Sequence, residues 1–310
     1  MYAQQGVSLD IEVFFQGLNH IFAAGELKAV SAYLRDSLAE AEAERDSHAA
    51  VTILNEMAGY FRSISDYAEA LNASERAITV LRELGYENTV AHGTTLLNAG
   101  TAYRASGDNV RAMELFFQAL AIFDKHLPSD DHRLAGLFNN IGAIYEDTGR
   151  YDEALDVLQR AVGILENHQG MESDAAVVQS NLALILLRLR RDDEARAALE
   201  KALNLFRRAG GSEAGGRLPP HYAAALAGMG EAHMRMREYA EAAEAYESAL
   251  EHIRAVFGEN RDYAVTCRNC ALACEAAGNP EKAESLRKKA DAALAALGLA
   301  PEDGENPPTA

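Results

Sequence analysis

Three thiols stand close together in "CRNCALAC": Cys267, Cys270 and Cys274. At i, i+3 and i+7 they share one stripe of a helix, and thiolates on one face can hold a soft cation or a cluster. A tetrahedral set needs further donors, and neither a second thiol pair nor a nearby histidine supplies them. The nine histidines are scattered; His221 and His233 fall on one helix and His252 on the next, without the HExxH spacing of a zinc protease. "GGSEAGGR" lacks the lysine of a phosphate loop and follows no strand. No serine or cysteine occupies a nucleophile elbow. The expectation from these residues is no catalytic set, no metal and no cofactor. Recognition is the chemistry left, and "LFNNIGAIYEDTGRYDEAL" (137–155) raises it. Asn139 and Asn140 sit side by side in an otherwise apolar helix, although asparagine competes for backbone hydrogen bonds and favours caps and turns.

Composition narrows the partners. The chain has 310 residues, 48% apolar and 25% charged, with seven prolines and no tryptophan, which suits a helical globular protein. A net charge of −18 repels nucleic acid and anionic membranes. No apolar run is long enough for a membrane span, and "MYAQQGVSLDIEVFF" has neither the basic start nor the cleavage site of a signal peptide. Three cysteines do not build a disulfide framework. A cytoplasmic chain is expected.

The elements that position the asparagines come from self-comparison. Gly100, Tyr103, Gly107, Ala112 and Ala119 recur as Gly142, Tyr145, Gly149, Ala154 and Ala161, an offset of 42 residues each time. The frame continues backward through Ala58, Phe61, Ser65, Ala70 and Ala77, and forward through Ala183, Gly230 and Ala271 to Ala290. Each of six copies reads as two amphipathic helices and a tight turn. A small residue in the first helix lets the second approach, and a glycine at the turn accommodates left-handed backbone. Neither helix buries its apolar stripe alone, so copies must stack.

The pattern resembles the tetratricopeptide repeat, and among such arrays the long units of kinesin light chain, whose leucine-asparagine-asparagine start is matched by Phe138-Asn139-Asn140-Ile141-Gly142. The resemblance implies an all-α, right-handed superhelical solenoid. It covers about residues 49–297, with repeats near 49–89, 90–131, 132–173, 174–209, 221–262 and 263–297 and a loop at 210–220. Residues 1–8 read as a disordered start, 9–48 as a degenerate capping helix pair, and 298–310 as a disordered acidic tail. In the last copy Arg287 takes a position that is apolar in interior copies, as suits an end with nothing stacked upon it; Ser74 in the first copy has no such explanation.

In stacked helix pairs the first helices line the inner surface. The position two before the small residue reads Glu56, Asn98, Asn140, Asn181, Gly228 and Asn269, with Asn55 and Asn139 one place earlier in their copies. About one turn past the small residue stand Arg62, Arg104, Arg188 and Arg235. A carboxamide both donates and accepts, so a row of them can clamp an extended peptide backbone while the arginines bind carboxylates. Two readings of the row are open: it faces a ligand, as the resemblance implies, or it ties neighbouring first helices together. The cysteine stripe aligns with Phe138, Ile141 and Tyr145 and so reads as core. The expected function is a scaffold or adaptor that binds a peptide or partner segment, with a carboxylate near Arg62 and Arg104. The alternative is a peptide-sensing receptor acting through a protein target. The terminal helices are a candidate homodimer surface.

Overall fold

The computed structural model describes residues 10–24, 27–166, 168–212 and 221–299. The expected disordered start, residues 213–220 of the loop and residues 300–310 of the tail lie outside the described residues. The all-α class is what the structure shows: fourteen helices and no strand among the described residues. They are α1 (Ile11–Ala23), α2 (Leu27–Ala43), α3 (Ser47–Ser63), α4 (Tyr67–Glu83), α5 (Val90–Ala105), α6 (Asn109–His126) and α7 (His132–Asp147). Next come α8 (Tyr151–Leu165), α9 (Glu172–Arg188), α10 (Asp192–Ser212), α11 (His221–Arg235), α12 (Tyr239–Phe257), α13 (Arg261–Ala276) and α14 (Pro280–Ala296). Helix α10 continues into the start of the expected loop because Ala209 and Gly210 extend its buried stripe.

The repeat writes its own helix starts. Asp46, Asp66 and Asp108 each accept a hydrogen bond from the backbone N–H three residues on, at 2.9, 3.3 and 3.0 Å. Asn260 and Asn279 do the same for α13 and α14. These caps satisfy donors that a helix start otherwise leaves open.

The turns inside the hairpins share one left-handed residue. It is Gly107, Gly149 or Gly278 in three copies, but Ser65, Arg190 and Arg237 in the others, at φ of 61°, 61° and 63°. After Gly107 the chain closes in the expected cap, with Asp108 N–H bonded to Tyr103 O and Gly107 N–H to Arg104 O, both at 3.0 Å. A side chain in left-handed backbone costs about 1–2 kcal/mol. Ser65→Gly, Arg190→Gly and Arg237→Gly should therefore each stabilise the chain by about 1 kcal/mol net of glycine's greater unfolded freedom. Chemical denaturation of the single and triple variants should show midpoints rising together.

The chain divides into two compact units, one ending at Ile144 and one beginning at Tyr145. In the first, α1 to α6 pack in sequence, and α3 also touches α5. In the second, α8 to α14 pack in sequence, α9 touches α11, and α11 lightly touches α13. No comparable contact joins second helices within either unit among the described residues. First helices thus form the more crowded layer, which requires small residues there. The core of each unit is aliphatic and aromatic, with Phe61, Phe116, Phe123 and Phe206 almost entirely enclosed. Ser74 is tolerated in that core because its hydroxyl donates to Ala70 O at 2.8 Å.

Candidate functional site

The asparagine row divides into two kinds of environment. In the first unit, Asn98 Nδ2 donates to Asn55 Oδ1 at 3.1 Å, and Asn55 Nδ2 donates to Thr95 Oγ1 and Val51 O, each at 3.0 Å. These amides stitch α3 to α5. Glu56 beside them is half-buried, and desolvation raises its pKa. Asn139 and Asn140 are half-buried on α7, where Asn140 Nδ2 donates to its own helix at Gly136 O, 2.9 Å away. In this first unit, therefore, the inter-helix reading of the row describes Asn55 and Asn98.

In the second unit two members of the row line clefts. Asn181 walls a small cleft of about 40 Å³ with Ser180, Leu184 and His221. Asn269 walls a larger cleft of about 350 Å³, formed mainly by α11, α12 and α13. The larger volume lies near the lower end of the range of small-ligand pockets. Both clefts are lined mainly by first helices. Gly228, the member of the row without a side chain, lies on the wall of the larger one.

The arginines separate likewise. Arg62 and Arg188 are exposed in the last turns of α3 and α9, and Arg104 is half-buried in the last turn of α5. Half-buried Glu146 has a raised pKa because desolvation outweighs the opposing pull of the Arg188 charge. Arg235 is engaged within the protein. Its side chain is only 12% exposed, and it donates to Leu187 O at 2.8 Å and Glu231 Oε1 at 2.7 Å, with Asp192 at 3.9 Å. Spacing along the helix gave the face of Arg235 but not the carbonyl and carboxylates that had already claimed it.

The thiols are core, as their alignment implied: Cys267, Cys270 and Cys274 are almost completely buried. Burial pushes the Cys267 thiol up and the Cys270 thiol up to about 12, so both stay protonated and inert as nucleophiles. The structure adds a neighbour that spacing did not reveal. A Glu247 carboxylate oxygen and the Cys270 and Cys274 sulfurs lie within 4.8 Å of one another. That carboxylate is held by the Lys282 ammonium. His233 is also engaged, with Nδ1 2.6 Å from Glu238 Oε2.

No helix among the described residues is long and apolar enough to cross a membrane. The family profile described as Tetratricopeptide repeat matches residues 49–125, 91–167 and 221–294, and a second of the same description matches 176–213. Protein KINESIN LIGHT CHAIN-RELATED 1 of Arabidopsis thaliana is 31% identical over 132 residues, 42% of this chain and 21% of that protein. Human Protein O-mannosyl-transferase TMTC1 is 34% identical over 73 residues, 24% of this chain and 7% of that one. The chain thus spans only a minor part of either relative. The crystal structure of BtubC (BKLC) from P. vanneervenii superposes with a TM-score of 0.61 at 22% identity, covering 79% of this chain and 97% of that one. It supports the same fold. Repeated small residues, capped hairpins and a profile match over more than half the length lead to one assignment: the chain belongs to the tetratricopeptide repeat family.

Proposed function

We propose that the chain is a non-enzymatic, cytoplasmic interaction scaffold that holds an extended segment of a protein partner along its first-helix layer. Arrays of this family generally bind protein partners, and stacked repeats offer an extended surface for one. The observation that carries the reading here is the coincidence of open space with the asparagine row. Asn181 and Asn269 each wall a cleft in the second unit, and the one beside Asn269, about 350 Å³, has room for a peptide group next to the amide. In the same unit Arg188 supplies an exposed cation at the end of α9, suited to a partner carboxylate; in the first unit exposed Arg62 offers the like to a partner by itself. Asn55, Asn98 and Arg235 carry hydrogen bonds within the protein and would have to exchange them to meet a partner.

Selecting peptides from a random display library against the purified chain provides a ligand. Asn181→Ala combined with Asn269→Ala should then weaken the selected peptide about tenfold, the scale of one or two lost amide hydrogen bonds. Unchanged affinity in calorimetry, with unchanged helicity, would contradict the assignment of those amides. Failure to select any binder would contradict the function itself.

A further inference from the structure

Gly228 breaks the asparagine row where the larger cleft opens. Its neighbours on the wall are small as well, Ala223, Ala224 and Ala227, and α11 touches α13 only lightly. An added Cβ at Gly228 would stand 3.3 Å from a Leu199 methyl, so a longer side chain there would crowd the wall as well as fill the space. The floor is apolar: Tyr246 and Ile253 are buried there, while Phe257 and Val265 remain 48% and 42% exposed at the opening. Two large apolar side chains left in water beside a hollow of about 350 Å³ suit an apolar insert.

Charge narrows what accompanies that insert. The charged residues lining the cleft are Glu231 and Asp262, both carboxylates. Glu231 is bonded to Arg235, whereas Asp262 is exposed in the first turn of α13. A cation beside the insert would meet Asp262, and an acidic neighbour would be repelled. The chain's own residues 300–310 are poor candidates, since they carry Glu302, Asp303 and Glu305 and no lysine or arginine.

We infer that the α11–α13 cleft is an anchor pocket for one bulky apolar side chain of a protein partner, with a lysine or arginine adjacent to it in the partner's sequence. The inference rests on the scaffold reading and specifies part of its ligand. It also gives the second unit a preference opposite to the carboxylate expected near Arg62 and Arg104 in the first. Asn269, at the wall, is placed to bond the partner backbone while the side chain fills the hollow.

The probes are fluorescein-labelled peptides of about twelve residues with one central phenylalanine or leucine, flanked by lysine, by glutamate or by serine. In fluorescence anisotropy the lysine-flanked series should bind about tenfold tighter than the serine series, with the glutamate series weakest. Ala227→Leu, which fills the hollow, should lower that affinity about tenfold. Asp262→Lys, on an exposed residue, should invert the preference between lysine and glutamate flanks. Equal binding of all series, or tighter binding of the glutamate series, overturns the inference. So does indifference to both substitutions while the display-selected peptide still binds, which leaves the scaffold reading standing. Absence of binding by these peptides and by every display-selected peptide overturns both. A concentration-dependent dimer in sedimentation velocity that Ala227→Leu abolishes also overturns it, by making a second copy the occupant.

Discussion

Gly100→Ala should destabilise the chain by about 2 kcal/mol, although helix propensity alone favours alanine over glycine by about 1 kcal/mol. The reversal follows from one contact. A Cβ at Gly100 would lie 2.5 and 2.7 Å from two atoms of the Phe116 ring and 3.2 Å from the Ala112 carbonyl oxygen. Phe116 is fully buried, so its ring cannot swing into solvent to make room. The carbonyl belongs to the backbone of α6 and moves only with the helix. Phe116→Leu in the same chain should restore part of the loss, which identifies the ring as the obstacle. Denaturant titrations of the two single variants and the double variant measure the coupling. A Gly100→Ala chain as stable as the parent would mean that α5 and α6 do not approach as closely as described.

Arg235→Ala should cost about 2–3 kcal/mol, more than loss of an exposed ion pair, which is worth at most about 1 kcal/mol. The guanidinium joins Glu231 on its own helix to the Leu187 carbonyl at the end of α9, with the Asp192 carboxylate close by. Its removal leaves a carbonyl and two carboxylates, each only 28% exposed, without their cation. Lysine at the same position should recover little, because one ammonium cannot match the planar fork that reaches both oxygens. Arg62→Ala, on an exposed arginine at the corresponding place in α3, should change stability by less than about 0.5 kcal/mol. Comparing the three unfolding midpoints separates an internal clamp from a surface charge. Equal effects of Arg235→Ala and Arg62→Ala would contradict the distinction drawn between them.

These contrasts show what was legible in the residues. Small residues that must face a neighbouring helix leave a periodic trace, so Gly100, Ala112 and their repeats disclosed the hairpin fold. Buried thiols at core positions were legible for the same reason, because the frame aligns them with Phe138 and Ile141. The direction in which a polar side chain is spent is not periodic. Asn55 meets Asn98 and Thr95 from another hairpin, while Asn140 turns back on Gly136. All three read as the same ladder in the sequence, yet their partners depend on the spacing between first helices. Glu247 is brought to the thiols only by the packing of α12 on α13. The larger cleft had a faint signal in Gly228, an interruption that acquires meaning only once the neighbouring alanines line the same hollow.

A scaffold that works as proposed uses its first-helix layer as the recognition surface. Hydrogen–deuterium exchange of the chain, with and without a display-selected peptide, tests it most directly. Bound peptide should slow exchange in α9, α11 and α13 and leave α10, α12 and α14 unchanged at their solvent-facing turns. Protection concentrated on the second helices, with the first helices unaffected, would contradict it.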